Sequence, residues 1–126
     1  MKRNSMQDIS LDLIKYILVK AETLEETHFN LLHSDETIQN VLFMIDADLI
    51  DADVFYSNEG FYCAVVAGLT PHGLTLLNLI RDDETYRKVC DLVGSSFTID
   101  LVMKTAEMLR LKQIEERINN DDTYQA

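Results

Sequence analysis

The chain has 126 residues, of which 47% are apolar, and its formal net charge is −11. This length and composition indicate one domain with a hydrophobic core, and they exclude disordered, collagen-like and low-complexity chains. No apolar stretch is long enough to span a membrane, no signal peptide is visible, and the two cysteines form no CxxC pair. We therefore expect a cytoplasmic protein without a membrane segment.

The first part of the chain predicts two helices separated by an irregular stretch. Apolar residues recur at helical spacing in residues 8–24, and Asp8 can cap the start of this helix. Residues 25–34 break the periodicity and favour a short strand. A second helix is predicted to begin at Ser34 and to end near Asp46.

A β-hairpin and further helices follow. Residues 52–67 are rich in β-branched and aromatic residues around an asparagine- and glycine-containing turn, which predicts a β-hairpin. Thr70 is a good N-cap and Pro71 suits the first helical position, so a third helix is predicted to begin here. Residues 82–92 predict a turn or short helix, and residues 97–118 predict a last helix with a frayed polar tail after it.

The last helix has apolar residues on two sides. One arc of its helical wheel, which we expect to pack on the core, contains Ile99, Val102, Met103, Ala106, Leu109 and Ile114. Leu101 and Met108 fall almost opposite that arc, and Leu111 lies at its edge. Single exposed apolar residues are common, but for these three we favour either a contact with a partner protein or self-association as a homodimer.

The order helix, connector, helix, β-hairpin is that of a winged-helix domain. We therefore predict an α+β, winged-helix-like domain in residues 1–96, with the hairpin as its wing. Residues 97–126 are predicted to add a C-terminal helix and frayed tail to the same globular unit. One helix of the usual three is missing or collapsed into residues 25–34.

Short motifs along most of residues 1–92 carry a resemblance to a known family. They are Met1-Lys2-Arg3, Leu13-Ile14-Lys15-Tyr16-Ile17-Leu18, Ala47-Asp48-Leu49-Ile50, Leu69-Thr70-Pro71-His72-Gly73 and Ile80-Arg81-Asp82-Asp83. In these motifs the chain resembles a family of small bacterial and phage proteins, a domain of unknown function with a winged-helix-like fold. The resemblance implies that fold and a phage or mobile-element origin, but no known activity or ligand. Asp48 stands where the family has a glycine at a helix end, a position that favours a left-handed backbone.

The negative charge is concentrated in the middle of the chain. Residues 21–80 contain ten acidic residues and no lysine or arginine, whereas the rest of the chain is nearly neutral. Such a segment produces a strong negative field, which either keeps the protein soluble or selects a partner. The residues that we assign to partner binding are Asp35, Glu36, Asp46, Asp48, Asp51, Asp53 and Glu59.

This charge argues against the usual winged-helix function. Nucleic-acid binding needs lysine and arginine to replace counterions along the phosphates, and the predicted second helix and hairpin have neither. We expect the carboxylates instead to imitate DNA phosphates and to bind a host nucleic-acid-handling protein with a basic surface. The alternative is a small transcriptional regulator that touches DNA through basic residues elsewhere, namely Lys2, Arg3, Arg81, Arg87 and Lys88.

No residue pattern predicts an enzyme, a metal site or a cofactor. The acidic run 46–53 lacks the spacing and the glycine of an EF-hand loop, and His28, His33 and His72 lack zinc-site spacing. There is no glycine-rich phosphate loop and no nucleophile beside a base. We therefore expect a non-enzymatic protein-interaction module without a cofactor.

Overall fold

The computed structural model describes residues 9–23, 27–30, 35–56 and 62–125. The elements in chain order are α1 (Leu11–Glu22), β1 (Thr27–Asn30), α2 (Asp35–Asp46), β2 (Ile50–Tyr56), β3 (Tyr62–Leu69), α3 (Pro71–Ile80), α4 (Asp83–Val93) and α5 (Ile99–Gln125). The predicted α+β class is confirmed. The chain divides into two units, residues 1–77 and residues 78–126, and each is described by itself below.

The three strands form one antiparallel sheet in the order β1-β3-β2. The predicted hairpin is confirmed, because β2 pairs with β3 from Ile50 opposite Leu69 to Tyr56 opposite Tyr62. The register skips Ala67 of β3, which leaves an irregularity in the ladder. The short strand predicted within residues 25–34 is present as β1, which pairs with β3.

Helix α1 forms because its apolar residues recur on one face, where Ile14, Ile17 and Leu18 are completely buried. It packs on β3 and α2. Its N-cap is Ser10, whose hydroxyl oxygen accepts a hydrogen bond from the Leu13 N–H at 3.3 Å. This corrects the predicted cap, Asp8, which lies outside the described residues.

A buried amide joins the first two helices. Asn40 is fully buried in α2, where its side-chain oxygen accepts from the Ser10 N–H at 2.8 Å. Its side-chain nitrogen donates to the Glu36 carbonyl oxygen at 2.7 Å. A buried amide without partners is destabilising, so the bond from Ser10 holds the start of α1 against α2.

Helix α2 ends in a Schellman motif centred on Asp48. The Leu49 N–H donates to the Met44 carbonyl oxygen at 2.9 Å, and the Asp48 N–H donates to the Ile45 carbonyl oxygen at 3.0 Å. Asp48 has a φ of 60°, and Leu49 and Met44, which occupy the positions of the motif's usual apolar contact, are both completely buried. The position therefore requires the left-handed backbone that glycine adopts most easily.

We expect Asp48→Gly to raise the free energy of unfolding by about 0.5–1 kcal/mol, because it removes a side chain from a left-handed position. Chemical denaturation measures this change. Ala47→Gly, one residue earlier, is the control and should lower the stability, since Ala47 has no positive φ. An Asp48→Gly protein that is less stable than the natural chain would contradict the assignment.

The start of α3 is tied to the end of α2 through Thr70. As predicted, Thr70 is the cap: its hydroxyl oxygen accepts from the Gly73 N–H at 2.9 Å. The same hydroxyl donates to the Asp48 carbonyl oxygen, and the Thr70 N–H donates to the Leu49 carbonyl oxygen at 3.2 Å. The backbone at Gly73 lies so close to Leu49 that a Cβ would overlap the Leu49 carbonyl group.

In the second unit, α4 packs on α5. Asp82 caps α4 by accepting from the Thr85 N–H at 2.9 Å, and Gly94, with a φ of 72°, ends it. Helix α5 continues through Gln125, past the predicted end at Ile118, because no glycine or proline interrupts residues 119–125. Within the described ranges, the helices are all too short or too polar to cross a membrane.

Candidate functional site

Five exposed carboxylates lie on α2, on the turn after it and on β2. We call them the acidic surface; they are Glu36, Asp46, Asp48, Asp51 and Asp53. Two further predicted members are not placed by the structure. The side chain of Asp35, the first residue of α2, and the whole of Glu59 lie outside the described residues.

Strand β2 positions two of these carboxylates by its alternation. Ile50 is buried, whereas Asp51 and Asp53 are exposed, so successive side chains point to opposite faces of the sheet. The neighbouring positions on β3 are uncharged, because Asp51 pairs with Gly68 and Asp53 pairs with Val65. The two carboxylates therefore share the solvent face of the hairpin with no basic neighbour across the ladder.

Positive charge in the described part of the first unit lies on α1. Its lysines are Lys15 and Lys20, and the Lys20 amine lies 5.5 Å from the centre of the Tyr16 ring. Among the residues that the structure describes, no ion pair joins a lysine or arginine to the acidic surface. In these residues no basic side chain therefore neutralises the negative field of the acidic surface.

Two of the five carboxylates stand where helix geometry disfavours them. Asp46 occupies the last turn of α2, which has no basic residue, and so faces the negative end of the helix dipole. Asp48 holds a left-handed backbone that glycine or asparagine adopts at lower cost. Stability alone would select other residues at both positions.

The residues considered for metals and nucleophilic catalysis are not brought together. In the described ranges, no group of three or more histidine, cysteine, aspartate or glutamate side chains could hold a metal ion. His72 is exposed in the first turn of α3, and the free cysteines Cys63 and Cys90 are half-buried. His28 is in β1, where its side chain is not described, and His33 lies outside the described residues.

The second unit carries an exposed apolar row on α5, which we call the α5 strip. It consists of Leu101, Met108, Leu111 and Ile118, with exposed fractions of 44%, 61%, 59% and 53%. Val102 and Ala106, on the other side of the same helix, are completely buried. The predicted placement of Leu101 and Met108 away from the packed arc is therefore confirmed, while self-association stays a prediction.

One predicted core position on α5 is wrong. Ile114 was assigned to the packed arc but is 43% exposed. The reason is the length of α4: Gln113 already contacts Thr85, close to the start of α4, through a 3.4 Å hydrogen bond. Beyond this point α4 offers no surface on which Ile114 could pack.

A cleft of about 630 Å³ lies beside this hydrogen bond, wholly within the second unit. It is lined by Asn78, Leu79, Asp82, Glu84, Thr85, Arg110, Gln113, Ile114 and Arg117. Acidic, basic and amide groups are mixed there without a nucleophile next to a base, so the cleft does not indicate catalysis. Sequence reasoning missed it because its residues are scattered from 78 to 117 with no shared motif.

Comparisons of this chain with protein-family models, with curated proteins and with solved structures gave no match.

Proposed function

We propose that this chain is a non-enzymatic protein-interaction module, encoded by a phage or mobile element and acting in the bacterial cytoplasm. Its acidic surface docks on a basic surface of a host nucleic-acid-handling protein. By occupying that surface in place of DNA, it modulates or inhibits the host protein.

The observation that carries this proposal is the placement of Asp46 and Asp48. A surface that only keeps a protein soluble can put its acids at any exposed position. Here, Asp46 lies in the last turn of α2, where the helix dipole would make a lysine or arginine more stable. Asp48 lies at a left-handed position, where a glycine would be more stable. Such local losses of stability are typical of functional sites, because function can compensate for them.

The arrangement of the first unit supports a winged-helix-like fold. Helix α1, strand β1, helix α2 and the β2–β3 hairpin follow one another, and the sheet has the order β1-β3-β2. In such a domain, a helix and the hairpin are the elements offered to DNA. The acidic surface is distributed over α2, β2 and the turn between them, so these elements carry carboxylates where a DNA-binding protein would carry lysine and arginine.

The alternative, a transcriptional regulator of the winged-helix type, would contact DNA through the exposed Arg81, Arg87 and Lys88. Acidic residues lie beside them in the same segment, and Glu84 is paired with Lys88 at 4.0 Å. This reduces the positive field that phosphates require, so the geometry supports the protein partner better.

Capture from a bacterial lysate tests the proposal. The full chain is immobilised at low salt, and bound proteins are released first with excess duplex DNA and then with rising salt. We expect a nucleic-acid-binding protein that DNA displaces, because both ligands use the same basic surface. If no captured protein is displaced by DNA, the DNA-mimic proposal is wrong.

A further inference from the structure

The exposed face of α5 has a symmetry that its packing on α4 does not explain. Leu101, Met108 and Glu115 recur every seven residues, and so do Lys104, Leu111 and Ile118. These two rows are three or four residues apart, as are the two seam positions of a heptad repeat. They run along the side of α5 away from Val102 and Ala106, which are buried.

The order of residues in these rows is palindromic about the midpoint between Leu109 and Arg110. Reversal about that point exchanges apolar residues with apolar residues, Leu101 with Ile118 and Met108 with Leu111. It also exchanges opposite charges. The charged pairs are Lys104 with Glu115 and, on the flanks of the strip, Glu107 with Lys112.

We propose that the α5 strip binds the α5 strip of a second copy of this chain, antiparallel, about a twofold axis through this midpoint. Leu101 then packs on Ile118 of the second copy, and Met108 packs on Leu111. Lys104 faces Glu115 of the second copy. A twofold axis makes each of these contacts occur twice, as in other isologous dimers.

Charge complementarity selects this orientation. In a parallel pair, each row packs on the same row of the second copy. Lys104 would then face Lys104 of the second copy, and Glu115 would face its Glu115. Both groups are exposed: the Lys104 amine lies 3.5 Å from the Asp100 carboxylate in a solvent-exposed pair, and Glu115 is also exposed. Only the antiparallel arrangement turns these like-charge contacts into opposite-charge contacts.

The register is selected by the same residues. Sliding the second helix by one heptad in one direction sets Leu111 against Glu115. Sliding it in the other direction sets Met108 against Lys104. Either shift places a charge against an apolar side chain and leaves that charge without its partner, so the palindromic register is favoured. This inference does not rest on the proposed function, because the acidic surface belongs to the other unit.

A charge exchange on the full chain tests the register. Analytical ultracentrifugation of the natural protein should give a mass approaching twice 14.5 kDa as concentration rises. Lys104→Glu and Glu115→Lys should each weaken the dimer about tenfold or more, because each sets like charges opposite one another twice. The chain with both substitutions should recover to within about threefold of the natural affinity, since the pairs re-form with exchanged signs.

The controls separate this result from loss of folding and from net charge. Glu116→Lys makes the same charge change next to Glu115 but off the strip, so it should leave the dimer intact. Leu101→Glu combined with Met108→Glu should give a monomer with unchanged helicity by circular dichroism. A natural chain that stays monomeric at all concentrations overturns the proposal. A double exchange no stronger than the single variants overturns the antiparallel register.

Discussion

We expect Gly73→Ala to lower the free energy of unfolding by about 3 kcal/mol or more. A Cβ at this position would overlap the Leu49 carbonyl group. Because this group belongs to the backbone, it cannot move aside by a side-chain rotation. The Leu49 carbonyl oxygen also accepts from the Thr70 N–H at 3.2 Å, and the Gly73 N–H donates to the Thr70 hydroxyl. Separating the two segments would therefore strain the cap of α3 as well.

Gly68→Ala is the matched control for this substitution. Gly68 lies in β3, and a Cβ there would have no atom within 4 Å. Alanine also favours a strand slightly more than glycine does, so stability should stay the same or rise. Urea denaturation of the two variants checks both expectations. Equal stabilities would show that the close approach of Gly73 to Leu49 is not a constraint on the fold.

The second large effect is expected from the combined change of Asp46, Asp48, Asp51 and Asp53 to asparagine. This variant should bind the captured partner about 100-fold more weakly, because four exposed carboxylates that face a basic surface are lost together. Its thermal stability should hold or increase. Asparagine accepts a left-handed backbone better than aspartate does, and the change at Asp46 removes a charge from the negative end of the helix.

The control for net charge changes four exposed acidic residues of the other unit to the corresponding amides, glutamine or asparagine. They are Glu84, Asp91, Asp100 and Glu116. Both variants change the net charge equally, so a general charge effect would weaken binding equally in both. We expect the control to bind nearly as well as the natural chain. Isothermal titration calorimetry with the captured partner measures the affinities. Equal binding by all three proteins would reject the acidic surface as the interface.

Local signals in the sequence were enough to predict much of the fold. The Thr70-Pro71 pair correctly marked the start of α3, since capping depends on nearest neighbours. The turn between the strands likewise predicted the hairpin. The resemblance placed Asp48 where a left-handed backbone is easiest for glycine or asparagine, and Asp48 has a φ of 60°.

Features that depend on distant packing were not predictable in the same way. The helical periodicity of α5 assigned Ile114 to the core. Its burial, however, depends on where α4 begins, and the residues of α5 carry no information about that position. The end of α5 was placed at Ile118 because polar residues follow, although polarity alone does not stop an exposed helix. The cleft beside Thr85 combines residues from three separate segments and has no local signature.

The most direct test of the central claim is a titration of labelled duplex DNA with the full chain at low salt, followed by fluorescence anisotropy. Low salt strengthens any contact with phosphate, so it gives DNA binding its best chance. The DNA should include the region upstream of the protein's own gene. We predict no saturable binding, because α2 and β2 carry carboxylates and no lysine or arginine. Saturable, sequence-dependent binding would contradict the account and identify the protein as a regulator that contacts DNA through another face.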